Sequence, residues 1–211
     1  MGMAGVILAA GESSRMGRDK ALLPWPPADS HPLNSRKHGA GGVLLSAAIQ
    51  ALAEHCDLVI VVAGKNQAVL QPFADRCGAF LVRNPNPELG QFSSLQTALH
   101  DVLNRGRDNA MITLVDRPPP GGETLAALVD EFANRKHEVW AVVPEYRNKH
   151  GHPVLAGREI IEKFLRAPAT ANAREIEHAN QQRISYIAVD DPRVTMNVDT
   201  PEEYAALEFE L

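Results

Sequence analysis

The chain has 211 residues, with 21 lysines and arginines against 26 aspartates and glutamates, a net charge of −5 and 45% hydrophobic residues. That length suits one α/β domain over residues 1–211 with its own core, and the acidic balance excludes a general nucleic-acid binder, which needs a basic surface to release counterions. No basic leader precedes an apolar stretch and no segment approaches a membrane span, so a soluble, cytoplasmic protein is expected.

Val6, Ile7 and Leu8 form a short apolar run that predicts a buried first strand. The loop after it combines Gly11, Ser13, Ser14, Arg15, Gly17 and Lys20, which is flexible backbone with small hydroxyls and two separated cations. Glycine lets backbone N–H groups approach phosphate oxygens, arginine adds a planar fork and lysine a point charge, so the loop suits a polyphosphate. Taken alone, the same residues suit a tight strand-to-helix turn with solvated cations equally well. The spacing matches neither common phosphate loop. A Walker loop places Lys directly after its second Gly, whereas Lys20 lies beyond Gly17-Arg18-Asp19, and Gly11-Glu12-Ser13 breaks the dinucleotide fingerprint.

From Leu22 to Gly42 the density of Pro, Gly and Ser predicts no regular element, a composition found in functional or mobile loops. A helix is predicted from about Val43 to His55, where Leu44, Leu45, Ala48, Ile49 and Leu52 recur at helical spacing. Next come a strand in "LVIVVAG", a helix from Gln67 to Cys77, a strand in "AFLVRN" and a helix starting at Ser93. "NAMITLVD" is a further strand ending in Asp116, followed by a helix from Glu123 to Arg135 and a strand in "EVWAVVP". The chain closes with "RISYIAVDD", "VTMNVD" and a short helix opened by Thr200-Pro201-Glu202. Cys56 and Cys77 lack CxxC spacing and read as idle thiols.

This alternation predicts an α/β fold, a Rossmann-like, doubly wound, mostly parallel sheet with helices on both faces. Ligands of such sheets sit at the carboxyl ends of strands. That selects the first loop, "NPNPELGQFSS", Asp116 and "NVDTP". Asp116 ends a strand before a proline-rich turn, and Asp199 stands at a helix entrance, where it would also serve as an N-cap. Two carboxylates at one edge beside a cationic loop fit a Mg²⁺ site, because Mg²⁺ is held by one or two carboxylates plus substrate phosphates. His150 and His152 are not a metal pair, since no third ligand accompanies them.

The run "LAAGESSRMGRDKALLP" resembles the signature loop of the MobA/MocA-like nucleotidyltransferases, the molybdopterin guanylyl- and cytidylyltransferases, roughly L-A-[AG]-G-x-S-x-R-M-G-x-x-K-x-L-L-P. "NPNPELGQFSSL", "LVDRP", "GHPVL" and "NVDTPEEY" are similar to the family's later segments, in the same order. "LAAG" and "GHPVL" look more like the cytidylyltransferase branch. The resemblance implies the nucleotide-diphospho-sugar transferase type of fold. It also implies an NMP group moved from an NTP, CTP favoured, to a phosphorylated acceptor, molybdopterin, with release of pyrophosphate and Mg²⁺ as cofactor.

By the same resemblance Leu8, Ala9, Ala10 and Gly11 meet the nucleotide, Arg15 and Lys20 neutralise its phosphates, and Arg15, Lys20 and Asp116 are the catalytic residues. Asp116 and Asp199 hold the metal, and Ser93 and Ser94 open a helix whose N–H groups bind an anionic group of the nucleotide or acceptor. His152 faces the acceptor or is a structural histidine before Pro153. Several features depart from the family pattern: the Pro-rich stretch between Leu23 and Val43, Val115 in place of Gly, the proline-laden "RPPPGG" turn, and Asn197 in place of an acidic residue. They leave open a transferase for a sugar phosphate or other small phosphate, and a non-catalytic nucleotide-binding maturation protein. The resemblance also leaves open a molybdoenzyme as a partner.

Overall fold

The computed structural model describes residues 2–11, 16–27 and 42–210. Its ten strands are β1 (Met3–Leu8), β2 (Pro24–Trp25), β3 (Gly42–Val43), β4 (Leu58–Ala63), β5 (Phe80–Arg83), β6 (Asn109–Leu114), β7 (Ala141–Tyr146), β8 (Lys149–His150), β9 (Val154–Ala156) and β10 (Ile184–Ala188). The helices are α1 (Leu44–Ala53), α2 (Gln67–Arg76), α3 (Gln91–Asn104), α4 (Gly122–Asn134), α5 (Arg158–Arg166), α6 (Ala173–Ala179) and α7 (Pro201–Glu210).

The main sheet runs β10-β7-β9-β6-β1-β4-β5, with β8 folded back on β7. β1 is central, parallel to β4 and β6, with Val6 opposite both Ile60 and Ile112. β5 and β10 are parallel to their neighbours, while β9 runs antiparallel between β6 and β7. The predicted mostly parallel sheet is thus present, with one reversed strand inserted.

Alternation along β1 assigns the two faces. Ile7 packs with Leu45 and Ile49 of α1, Leu70 of α2 and Leu128 of α4. Ala4, Val6 and Leu8 point to the other face, against Phe92, Leu95 and Leu99 of α3 and Ile161 and Phe164 of α5. Burying strands on both faces is what requires continuous apolar runs such as Leu58–Ala63. No described helix is long and apolar enough to cross a membrane.

Three expectations need correction. The Leu22–Gly42 stretch is not devoid of elements, because its two ends pair as an antiparallel ribbon, Pro24 with Val43 and Trp25 with Gly42. A two-residue pairing closed by a long connection leaves no periodicity to read. α3 begins at Gln91 rather than Ser93, because Gly90 turns the chain at φ 95°, a conformation glycine adopts without strain. The "VTMNVD" segment, named among the closing elements, forms no strand: a 3₁₀ turn at Pro192–Val194 is followed by irregular chain up to α7.

Candidate active site

Lys20, Asp116 and Asp199 converge at the carboxyl edge of β1 and β6. The Lys20 ammonium lies 2.5 Å from Asp199 Oδ1 and 3.2 Å from Asp116 Oδ2. The lysine side chain is 10% exposed and each carboxylate 24%. Arg15, predicted to share this site, falls outside the described residues.

Local chemistry fixes each member. Lys20 opens a 3₁₀ turn whose N-cap is Asp19, with Asp19 Oδ1 accepting from the Ala21 N–H. Asp19 Oδ2 accepts from Asn66 Nδ2 at 2.7 Å, and the same amide donates to the Ala9 carbonyl at 2.9 Å. Asn66 therefore ties the first loop to the end of β4. Gly64 is required there, because a Cβ at that position would stand 2.8 Å from the Ala10 carbonyl oxygen. Asp116 follows Val115, whose N–H donates to the Leu8 carbonyl and whose side chain is buried in the core. Valine at that place is thus a packing residue.

Two hydrogen bonds bring Asp199 to Asp116. The Val198 N–H donates to the Asp116 carbonyl at 2.9 Å, and Arg117 Nη1 donates to the Met196 carbonyl at 3.2 Å. Beneath them Met16, Leu23, Leu44, Val198 and Leu207 form a small apolar cluster that joins the first loop to α1 and α7. Asp199 does not cap α7. Thr200 does, its hydroxyl accepting from the Glu203 N–H while Glu203 Oε2 accepts from the Thr200 N–H. This reciprocal capping box leaves the Asp199 carboxylate to face Lys20. Asn197 holds it from the other side, donating from Nδ2 to Asp199 Oδ2 at 2.5 Å.

Asp116 Oδ1 is buried and accepts no hydrogen bond among the described residues. A buried carboxylate oxygen without a donor is costly unless a cation meets it, so this atom fits a metal ligand. Among the described residues no group of three or more His, Cys, Asp and Glu side chains converges. Two carboxylates suit a Mg²⁺-like ion that takes its remaining ligands from phosphates and water.

Two cavities flank the carboxyl end of β1. One, of about 410 Å³, is lined by Leu8, Ala10, Gly11, Lys65, Gln91 and Ser94 among others. The second, of about 300 Å³, shares Leu8, Gly90 and Gln91 with it and extends to His152, Phe164 and Glu177. Leu8, Ala10, Gly11 and Ser94 therefore stand together at one cavity, while buried Ala9 contributes its backbone bonds.

Ser93 has a structural task. Its hydroxyl accepts from Asn84 Nδ2 at 2.8 Å and donates to the Gly90 carbonyl at 2.7 Å. Ser94 accepts from the same amide at 2.9 Å, which leaves its proton available to the cavity it lines.

His152 lines the second cavity, and its Nδ1 is buried without a partner among the described residues. Burial pushes its pKa down to about 3, with the neighbouring Arg117 charge acting in the same direction, so the imidazole is neutral at neutral pH. Arg117 is itself lowered by burial, an effect opposed by Asp116 and Asp199. His150 lies apart, stacked on Tyr186 with ring centroids 4.1 Å away. Cys56, raised to about 12 by burial, and Cys77 are free thiols.

Sequence reasoning overlooked Asn66, Asn84 and Arg117. The available signal was position: Asn66 and Asn84 close the loops directly after β4 and β5, and Arg117 follows the carboxylate at the end of β6.

A model of the MobA-like NTP transferase domain matches residues 5–184. The chain is 23% identical over 210 residues to the molybdenum cofactor cytidylyltransferase of Escherichia coli (strain K12), covering 94% of this chain and 92% of that protein. It is 30% identical over 205 residues to a probable molybdenum cofactor guanylyltransferase of Rhodopirellula baltica, covering 94% and 88%. Among solved structures, that of Rv0371c from Mycobacterium tuberculosis H37Rv superimposes with a TM-score of 0.79 at 24% identity over 99% of this chain and 98% of that one. A complex of the same protein with manganese gives 0.76 at 22% identity over 100% of both chains. The architecture is the nucleotide-diphospho-sugar transferase type. Relatives of both the cytidylyl and the guanylyl kind match most of its length, and with the family model matching residues 5–184 the chain belongs to the MobA-like NTP transferase family of nucleotidyltransferases.

Proposed function

We propose that this nucleotidyltransferase moves an NMP group from an NTP, CTP in preference to GTP, to the phosphate of molybdopterin, releasing pyrophosphate. The observation that carries the reading is the triad of Lys20, Asp116 and Asp199, with one buried Asp116 oxygen still lacking a donor. The relatives' names supply the acceptor class. Asp116 and Asp199 would hold a divalent cation, Mg²⁺ in this reading, which when bound supplies Lewis-acid neutralisation at the donor's α-phosphate. The manganese complex of the mycobacterial structure is consistent with a site for such an ion in this fold.

An oxygen of the acceptor phosphate attacks the α-phosphorus, a new P–O–P linkage forms, and the bond to the β-phosphate oxygen breaks as pyrophosphate leaves. An acceptor phosphate is anionic at neutral pH, so the reaction needs no protein nucleophile and no strong base. Catalysis then rests on positioning and charge. Lys20 exchanges its carboxylate partners for donor phosphate oxygens, aided by Arg15 on the same loop. The base and sugar lie along Leu8, Ala9, Ala10 and Gly11, with the Ser94 hydroxyl and the first N–H groups of α3 as further donors. Arg117, whose charge acts on His152 and is acted on by Asp116 and Asp199, holds the acceptor phosphate. His152 stays neutral and offers a hydrogen bond to the acceptor rather than a charge.

Ala10 bears on donor choice. Ala10 lines the nucleotide cavity beside Gly64, where a methyl group in place of hydrogen narrows the space and favours the smaller pyrimidine. Ala10→Gly is expected to raise kcat/KM for GTP relative to CTP by about tenfold, the scale of one or two methylene-sized contacts. The transfer reading is tested by pyrophosphate release from NTP and molybdopterin. Wild type should release it and Asp116→Ala should not, whereas full turnover by the variant would overturn the assignment.

A further inference from the structure

The 300 Å³ cavity has an ordered layout. Leu8, Ile112 and Leu114 of the sheet, Phe92 and Leu95 of α3 and Phe164 of α5 give it apolar walls. Phe92 and Phe164 meet edge to face with ring centroids 6.0 Å apart, a rigid corner for a flat ring. His152 also lines it, and the Arg117 charge that acts on His152 is itself acted on by Asp116 and Asp199. Glu177 of α6 also lines the cavity, yet its charge couples to Arg174 and Tyr186 and to none of the reaction-centre groups. Its carboxylate accepts no hydrogen bond from another described residue, and burial pushes its pKa up. The cavity is therefore an apolar slot lined by two polar side chains, His152 and Glu177.

We propose that Glu177 is the specificity-determining residue for the acceptor's heterocycle, its two oxygens accepting the two adjacent N–H donors of a 2-amino-4-oxo-pyrimidine edge. The proposal rests on the reading of the acceptor as a pterin. A carboxylate matches two parallel N–H groups in fork geometry, and such charge-assisted pairs exceed neutral ones in strength. A ring with a carbonyl where the amino group should be leaves the half-buried carboxylate facing an acceptor, which is how polar sites reject near-isosteres. With the heterocycle held by Glu177, His152 on the same cavity is left to meet the phosphate-bearing side of the acceptor.

The test is equilibrium binding of two probes to the intact protein without nucleotide: pterin, and lumazine, which has a carbonyl in place of the 2-amino group. Wild type is expected to bind pterin at least about tenfold more tightly than lumazine, and Glu177→Gln, whose amide both donates and accepts, is expected to bring the ratio near one. The ratio is independent of the folded fraction, so a destabilised variant still reports. Equal binding of the two by wild type, no pterin binding at millimolar probe, or a ratio kept by Glu177→Gln would each overturn the proposal. Pyrophosphate release is a separate readout. Discrimination through Glu177 without release would sink the transfer reading and leave this one standing.

Discussion

Replacing Lys20 by methionine removes the cation that holds Asp116 and Asp199 together, and the structure sets the size of the effect. Breaking a buried ion pair costs about 3–5 kcal/mol and an exposed one about 0–1. Here the ammonium is 10% exposed and both carboxylates 24%. Their position between those limits gives a loss of about 2–3 kcal/mol for Lys20→Met. Asp116→Asn in wild type loses the contact at 3.2 Å and should cost about 1–2 kcal/mol. In the Lys20→Met background the same change removes one of two facing negative charges and should cost nothing or stabilise. Urea unfolding of the four proteins gives the coupling, expected at about 1–3 kcal/mol. A loss under about 0.5 kcal/mol for Lys20→Met, with Asp116→Asn equally costly in both backgrounds, would refute the reasoning.

The remaining predictions concern Gly151 and His152. A Cβ on Gly151 would come 2.7 Å from the Val194 carbonyl carbon, backbone that cannot swing away, so Gly151→Ala should lower stability by about 1–3 kcal/mol in a thermal melt. An unchanged midpoint would refute that packing argument. His152 has a folded pKa near 3 against an ordinary 6.5, so between those values the unfolded chain binds more protons and stability falls on acidification. The slope is at most about 1.4 kcal/mol per pH unit, so the stability gap between wild type and His152→Gln should move by up to about 2 kcal/mol in favour of the variant between pH 7 and pH 5. A gap that stays constant would show that His152 titrates normally in the folded protein.

What could be read in advance divides along physical lines. β1 was legible because Val6, Ile7 and Leu8 must be apolar on both faces, and Asp116 because a carboxylate after such a run sits at the ligand edge. β9 was not, since three residues give no period, and its antiparallel place between β6 and β7 depends on contacts distant in sequence. α6 is short and buries no residue fully, whereas α5 carried a legible helical pattern, Ile160, Ile161 and Phe164 on one face with Glu159 in its first turn and Arg166 in its last, that the sequence reading passed over. Asn66 and Asn84 look like turn formers along the chain, and folding makes them crosslinks between neighbouring loops. Asp199 was ambiguous between cap and ligand because the local sequence favours both. The Thr200–Glu203 box assigned the cap, and the carboxylate was left for Lys20.

The most direct test of the central claim follows the label of CTP marked at the α-phosphorus or at the γ-phosphorus, incubated with protein, molybdopterin and Mg²⁺. The account predicts that the α label appears on the acceptor and the γ label in pyrophosphate, in equal amounts. Label that stays in the nucleotide, or α label released without joining the acceptor, would contradict it.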